Sequence, residues 1–166
     1  RPEVAAVGAR LLSPEGTIRH AGLILGLKGD VASPFEGDAL DAAGYMNRLE
    51  VDQNYSAVSG DCLLIARQIF DQLTGFDESR VVARWVDVDL CLRARQAGYL
   101  TVWTPHATLM KESVRELLGV AEQDELFSRW LPILARDSAY NPNLSLQRPG
   151  GFKLTDLQLS WRPLMA

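Results

Sequence analysis

The chain contains little that would point to disulfides or a membrane span. It has two cysteines among 166 residues. Cys62 and Cys91 both stand among aliphatic residues without metal-ligand spacing, which predicts buried free thiols in a reducing, cytosolic compartment. No apolar run approaches the roughly 20 residues that a bilayer span needs.

An excess of basic residues is also absent. Lys and Arg number 17 against 21 Asp and Glu, giving a net charge of −4 and a pI near 5.2. This balance argues against a nucleic-acid-binding surface. A hydrophobic content of 47% suits one globular domain with its own core. The start at Arg1-Pro2-Glu3, without an initiator Met or a signal peptide, predicts a piece of a longer protein.

Strand and helix patterns alternate along the chain, which indicates an α/β domain. We expect a hairpin of residues 4–12 and 17–27, a long surface loop over 28–53, and strands at 57–59, 62–67 and 100–103. Helices are predicted at 68–73, 87–97 and 123–134, the last bent or ended by Pro132. Beyond Arg136 an extended tail is expected.

Asp87 and Asp89 open the second predicted helix, and three roles are open to them. A carboxylate there could act as general base toward a hydroxyl group. Acidic residues also cap helix starts and complement the helix dipole, which is the commoner role. A D-x-D pair could instead bind Mg²⁺ or Mn²⁺, although such a pair normally lies in a loop after a strand.

Several motifs resemble glycosyltransferase family 2. The family segment (Asn/Glu)-Asp-(Val/Ile)-Asp-Leu-Cys-Leu-Arg corresponds to residues 86–93, VDVDLCLR. Residues 59–65 look like its (Thr/Ser)-Gly-x-Cys strand, and residues 74–78 look like its Gly-Gly-Phe-Asp-Glu loop. Residues 97–99 and 102–107 are similar to the turn and strand that follow. The resemblance covers roughly residues 3–145 and extends to bacterial surface-polysaccharide members.

The resemblance implies part of a GT-A fold, the α/β fold of nucleotide-diphospho-sugar transferases. A mixed sheet with flanking helices is expected, with the N-terminal nucleotide-binding half absent. Residues 1–145 would form the acceptor-side part, followed by a tail over 146–166. The parent enzyme would transfer a sugar, with inversion, from a nucleotide-diphosphate donor to a glycan or lipid-linked acceptor. It would lie in the cytoplasm, at the inner face of the cell membrane, and this fragment alone would be inactive.

The resemblance also implies residue roles. Asp87 would be the general base, and the predicted acceptor contacts are Ser59, Gly60, Asp61, Asp89 and Trp103. A divalent metal, Mg or Mn, is expected in the full-length enzyme, with its ligands mainly outside this chain. For Trp103, as for Trp85 and Trp130, core packing is the favoured alternative. The missing half would leave an exposed sheet edge or apolar face, which a homodimer could cover.

Two departures from the family pattern support a different function. Val86 replaces the polar residue before the base, and residues 109–113, LMKES, lack the histidine of the family's Leu-x-His-x-Glu-Ser segment. Lys111 could neutralise a phosphate instead, although most lysines are solvated. His106 stands too early and is expected to be half-buried. The alternative is a non-catalytic module, derived from a transferase, that binds a glycan or a protein.

Overall fold

The computed structural model describes residues 1–77, 85–112, 120–147 and 151–154, with the side chains of 120–126 excluded. The structure contains both strands and helices, which confirms the mixed α/β class, although most strands come first and the two kinds of element alternate only in the second half of the chain. The elements are β1 Val4–Leu12, β2 Ile18–His20, β3 Ile24–Leu25, β4 Val31–Ala32, β5 Gln53–Tyr55, β6 Leu63–Ile65, α1 Arg67–Gln72, α2 Val86–Gln96, β7 Leu100–Met110 and α3 Val120–Leu134.

A mixed sheet forms the centre of the fold. Strands β1 and β7 run parallel, and β5 joins the far side of β7 in antiparallel orientation. The other side of β1 carries two antiparallel partners, β6 along its first half and β2 near its end. Strands β3 and β4 form a separate hairpin. This arrangement is compatible with part of a transferase-like fold.

The predicted hairpin is confirmed, but its second strand is shorter than expected. The extended run ends near Gly22, whose φ of +86° turns the backbone away from the sheet. The strand expected at 57–59 is wrong, because β5 lies at Gln53–Tyr55 and pairs with β7. Ala57 makes an isolated bridge to Leu23. The apolar residues near position 57 showed that this segment is buried. The pairing with β7 decided that the extended residues are those of β5.

Strand β7 continues past the point where the sequence predicts its end. Ala9 lies opposite Thr104, but the next residue of β1, Arg10, lies opposite Thr108. Residues 105–107 therefore form a bulge, as expected where Pro105 cannot donate a backbone hydrogen bond. His106 lies in this bulge and is exposed, so the expectation of a half-buried histidine is wrong.

Residues 28–53 are irregular, as expected, but they are not simply a surface loop. They contain β4 and a short 3₁₀ turn at Tyr45–Asn47. Val31, Phe35 and Leu49 are each no more than 5% exposed and belong to the main hydrophobic cluster. The apolar residues spaced through this segment therefore hold it against the core.

The three predicted helices are confirmed as α1, α2 and α3, with Pro132 inside α3. Helix α2 is buried along most of its length, including Cys91. Trp85, Trp103 and Trp130 are each no more than 3% exposed, which confirms core packing for all three. Cys91 is buried as predicted, whereas Cys62 is half-buried.

The part of the tail that the structure describes returns to the core. Phe152 stacks on Phe35 with ring centroids 5.0 Å apart. The predicted tail residues 148–150 and 155–166, Glu78 of the loop motif, and Ser113 lie outside the described residues. Leu64 of β6 is 73% exposed, and the edge or apolar face expected from a missing half stays a prediction. Within the described ranges no helix is long and apolar enough to cross a bilayer.

The buried thiol of Cys91 predicts a loss of stability in alkali. Burial raises the pKa of this thiol from 9.0 to about 12. Above pH 9 the unfolded chain releases the thiol proton while the folded chain keeps it. Stability should therefore fall by about 1.4 kcal/mol per pH unit as the pH rises from 9 toward 12.

Urea unfolding at pH 8 and pH 10.5 measures this slope. Cys91→Ala should show a shallower loss between the two pH values than the wild type. Cys62→Ala, which removes the half-buried thiol, should keep most of the wild-type slope. Equal slopes in all three proteins would contradict the assignment to Cys91.

Candidate functional site

The candidate site lies where the turn before β6 meets the start of α2. Ser59 organises this turn, because its hydroxyl accepts a hydrogen bond from the Asp61 amide at 3.3 Å and donates one to Asp61 Oδ2 at 2.7 Å. A 3₁₀ turn at Gly60–Cys62 follows. The backbone amide of Gly60 is thereby directed toward α2.

Asp87 lies in the first turn of α2 and is 7% exposed. Its Oδ2 accepts a hydrogen bond from the Gly60 amide at 2.7 Å, and its Oδ1 accepts one from the Val88 amide at 2.8 Å. Trp85, not Asp87, holds the N-cap position. Both amides stabilise the ionised carboxylate, which is the form that can accept a proton.

Gly60 is required by the closeness of the turn to α2. A methyl group at Gly60 would lie 3.0 Å from Asp87 Cβ and 3.4 Å from its Oδ2. Gly60→Ala should therefore displace the Asp87 carboxylate. If Asp87 acts on a substrate, a shift of this kind can lower turnover by as much as about 10²-fold.

Gly16→Ala is the matched control for Gly60→Ala. Gly16 has a φ of +81° and open space around it, so a methyl group there strains only the backbone. Gly16→Ala should lower the urea midpoint and leave turnover unchanged. The Gly60 interpretation is wrong if both variants lose turnover in proportion to their loss of stability.

Lys111 joins the end of β7 to this turn. Its Nζ lies 2.5 Å from Asp61 Oδ2, and its amide donates to the Leu12 carbonyl at 2.8 Å. The sequence suggested that the Lys111 ammonium group neutralises a phosphate, but in this structure Asp61 balances its charge. The pair ties the turn, β1 and β7 together.

His20 supports the turn from β2 and was missed as a site residue by sequence reasoning. Its Nε2 accepts a hydrogen bond from the Ser59 amide at 3.3 Å, and the side chain is 5% exposed. An accepting Nε2 carries no proton, so the ring uses the Nδ1-protonated neutral form. The available sequence signal was a polar residue in an apolar run, which does not reveal its partner.

Asp89 faces the interior and is 0% exposed. Its Oδ2 lies 2.7 Å from Arg93 Nε, and its Oδ1 accepts from Trp130 Nε1 at 2.9 Å and lies 3.2 Å from an Arg129 nitrogen. Arg93 also donates to the carbonyls of Leu73 and Gly75. Asp89 therefore connects α2 to α3 and to the loop after α1.

The structure thus brings together four of the six predicted site residues, Ser59, Gly60, Asp61 and Asp87. Asp89 and Trp103 lie in the interior with no exposed surface. Either would need a rearrangement to touch an acceptor, and their assignment as acceptor contacts stays a prediction.

A metal does not fit the Asp87 and Asp89 pair. The Asp89 carboxylate is committed to Arg93 and Trp130, and Asp87 is held by backbone amides. Among the described residues no group of three or more His, Cys, Asp or Glu side chains could hold a metal ion. The D-x-D interpretation is therefore not supported by this geometry.

No protein-family model matches the chain. It is 44% identical over 161 residues to the uncharacterised protein y4gI of Sinorhizobium fredii, covering 89% of this chain and 17% of that protein. It is 36% identical over 156 residues to the O-antigen biosynthesis protein RfbC of Myxococcus xanthus, covering 88% and 12%. It is 34% identical over 116 residues to the N-acetylglucosaminyl-diphospho-decaprenol L-rhamnosyltransferase of Mycobacterium tuberculosis, covering 66% and 38%.

The chain therefore spans between 12% and 38% of the length of these curated relatives. One of the names describes O-antigen biosynthesis and another describes a rhamnosyltransferase. The chain is related in sequence to proteins of glycosyltransferase type.

Proposed function

We propose that this chain is the acceptor-side part of an inverting glycosyltransferase of family 2 with a GT-A fold, and that Asp87 is its general base. The observation that carries the proposal is the pair of amide hydrogen bonds to Asp87, from Gly60 at 2.7 Å and from Val88 at 2.8 Å. They hold an ionised carboxylate beside the turn that the resemblance assigns to the acceptor pocket. The relationship to a named rhamnosyltransferase supports the same reaction class.

The proposed reaction is one displacement at the anomeric carbon of the donor sugar. The Asp87 carboxylate takes the proton of the acceptor hydroxyl as the hydroxyl oxygen forms its bond to that carbon. The bond from the anomeric carbon to the diphosphate oxygen breaks on the opposite face. The nucleoside diphosphate leaves with the electron pair, and the configuration inverts.

The relatives suggest an acceptor class for the whole protein. The name of the mycobacterial relative describes an acceptor in which N-acetylglucosamine is joined through a diphosphate to decaprenol. We accordingly propose a lipid-linked or glycan acceptor, used in polysaccharide biosynthesis at the cytoplasmic face of the membrane. The donor would bind mainly to parts of the protein outside this chain, together with a divalent metal.

Sugar transfer by the full-length protein tests this proposal. A panel of nucleotide sugars, including activated L-rhamnose, would be incubated with a lipid-linked N-acetylglucosamine acceptor. Each donor would be tested with Mn²⁺, with Mg²⁺ and with a chelator. We expect acceptor-dependent release of nucleoside diphosphate, equal in amount to the glycosylated product, and inverted anomeric configuration by NMR. A product with retained configuration would contradict the proposed displacement.

A second candidate is a non-catalytic module that binds a glycan. The ion pair between Lys111 and Asp61 favours it, because the Lys111 charge is already balanced and less available to a diphosphate. Saturable binding of an acceptor glycan to the full-length protein, with no transfer from any donor, would support this alternative over the enzyme.

A further inference from the structure

A cleft of about 740 Å³ lies at the end of α2 away from Asp87. It is bounded by β5, the start of β7, the end of α2 and residues 138–139. Its volume is within the range of small-molecule sites. Arg95 lies on its wall in the last turn of α2, about 12 Å along the helix axis from Asp87. The cleft is therefore separate from the candidate site above.

Two arginines of this cleft have no carboxylate partner in the described part of the chain. Arg95 donates to the Ser56 hydroxyl at 2.7 Å and to the Ser138 hydroxyl, and Arg48 forms no ion pair there. A third arginine, Arg1, is paired with Glu3 at 2.8 Å. Two guanidinium groups in one cleft without a direct ion pair in this part of the chain favour an anionic ligand.

Arg48 is the better indicator of the two. Its guanidinium lies 4.9 Å from the ring centroid of Phe152 and 5.7 Å from that of Tyr55, so aromatic faces hold it in place. Its Nε is buried and has no hydrogen-bond partner among the residues that the structure describes. This nitrogen is enclosed by the protein, so its lack of a partner reflects packing and not an open position on the cleft.

Two carboxylates lie near these arginines, one on the wall of the cleft and one behind it. Asp52 lines the cleft, and burial raises the pKa of Tyr55 to about 12, so this phenol stays neutral at pH 7. The Asp137 carboxylate lies behind Ser56 and accepts hydrogen bonds from the Ser56 hydroxyl at 2.5 Å and from the Leu25 amide at 2.9 Å. Asp137 thus holds Ser56, which in turn orients Arg95.

We propose that this cleft is a binding site for a small phosphate-bearing ligand, held by Arg48 and Arg95. Guanidinium groups bind phosphate oxygens through paired N–H donors, and both groups here are held by side chains before any ligand arrives. The proposal is independent of sugar transfer, because it uses none of the residues around Asp87.

Calorimetric titration with inorganic pyrophosphate tests the site. The protein would be compared with Arg48→Gln, Arg95→Gln and the control Arg67→Gln, which removes a charge outside the cleft from a side chain that is 86% exposed. We expect saturable binding to the wild type and to Arg67→Gln. Each cleft variant should bind about tenfold to a hundredfold more weakly. Affinity should also fall as salt rises.

Arg95 contributes to packing through Ser56 and Ser138, so its variant could be less stable. The urea midpoint of each variant without ligand shows whether Arg95→Gln is destabilised. If it is, the pyrophosphate affinity of Arg48→Gln alone decides the test. Absence of saturable pyrophosphate binding to the wild type would overturn the proposal. Equal weakening by Arg67→Gln, or binding of citrate without binding of pyrophosphate, would also overturn it.

Discussion

Asp87→Asn in the full-length protein should lower sugar transfer by about 10²- to 10⁴-fold, the usual contribution of a general base. Asparagine is nearly the same size, and its one side-chain oxygen can still accept the hydrogen bond from the Gly60 amide, while the Val88 amide loses its acceptor. It cannot take a proton from a hydroxyl group. The variant should therefore remain folded, bind the acceptor, and fail in the chemical step.

Initial rates at saturating acceptor, with the urea midpoint of each protein, measure this effect. Asp71→Asn is the control, because Asp71 is an exposed aspartate paired with Arg67 on α1. It should change neither the rate nor the midpoint. If the Asp87→Asn variant still transfers the sugar at the wild-type rate, Asp87 is not the general base. Its role would then be to complement the helix dipole at the start of α2.

Asp89→Asn should destabilise the fold by about 3–5 kcal/mol, the usual cost of removing one partner of a buried ion pair. The change leaves Arg93, whose side chain is 13% exposed, without its carboxylate. It also removes the charge that faces Arg129, while the hydrogen bond from Trp130 can persist. The expected cost is therefore electrostatic, with little change in volume.

The chain contains a matched pair for this experiment. Asp89 with Arg93 and Arg67 with Asp71 are both i,i+4 pairs with an N–O distance of 2.7 Å. The first pair is buried, whereas the side chains of the second are 86% and 55% exposed. Asp71→Asn should leave the urea midpoint unchanged, because solvent screens an exposed pair. Equal midpoints for the two variants would show that burial does not govern the Asp89 pair.

The same variant separates two roles of Asp89. If Asp89 only supports the structure around the site, the Asp89→Asn variant should keep most of the wild-type transfer rate at a temperature where it is still folded. If Asp89 contacts the acceptor, the folded variant should bind the acceptor more weakly, which would appear as a raised KM for the acceptor. The complete burial of Asp89 favours the first outcome.

Local patterns predicted the helices well and the strands less well. Apolar spacing and glycines mark α1 and α2, since a helix satisfies its hydrogen bonds within one segment. A strand needs a partner far away in the chain. For this reason β5 was misplaced by several residues, and the continuation of β7 beyond the bulge at 105–107 was missed.

The sequence alone indicated the turn at Ser59–Asp61 and the acidic start of α2, because both are short motifs whose residue types carry the information. Tertiary structure decided that Gly60 contacts Asp87 while Asp89 turns inward to Arg93. It also brought Arg48 and Arg95 into one cleft, through contacts between distant segments. Burial and pairing depend on what packs against a residue, and neighbours in sequence do not specify that.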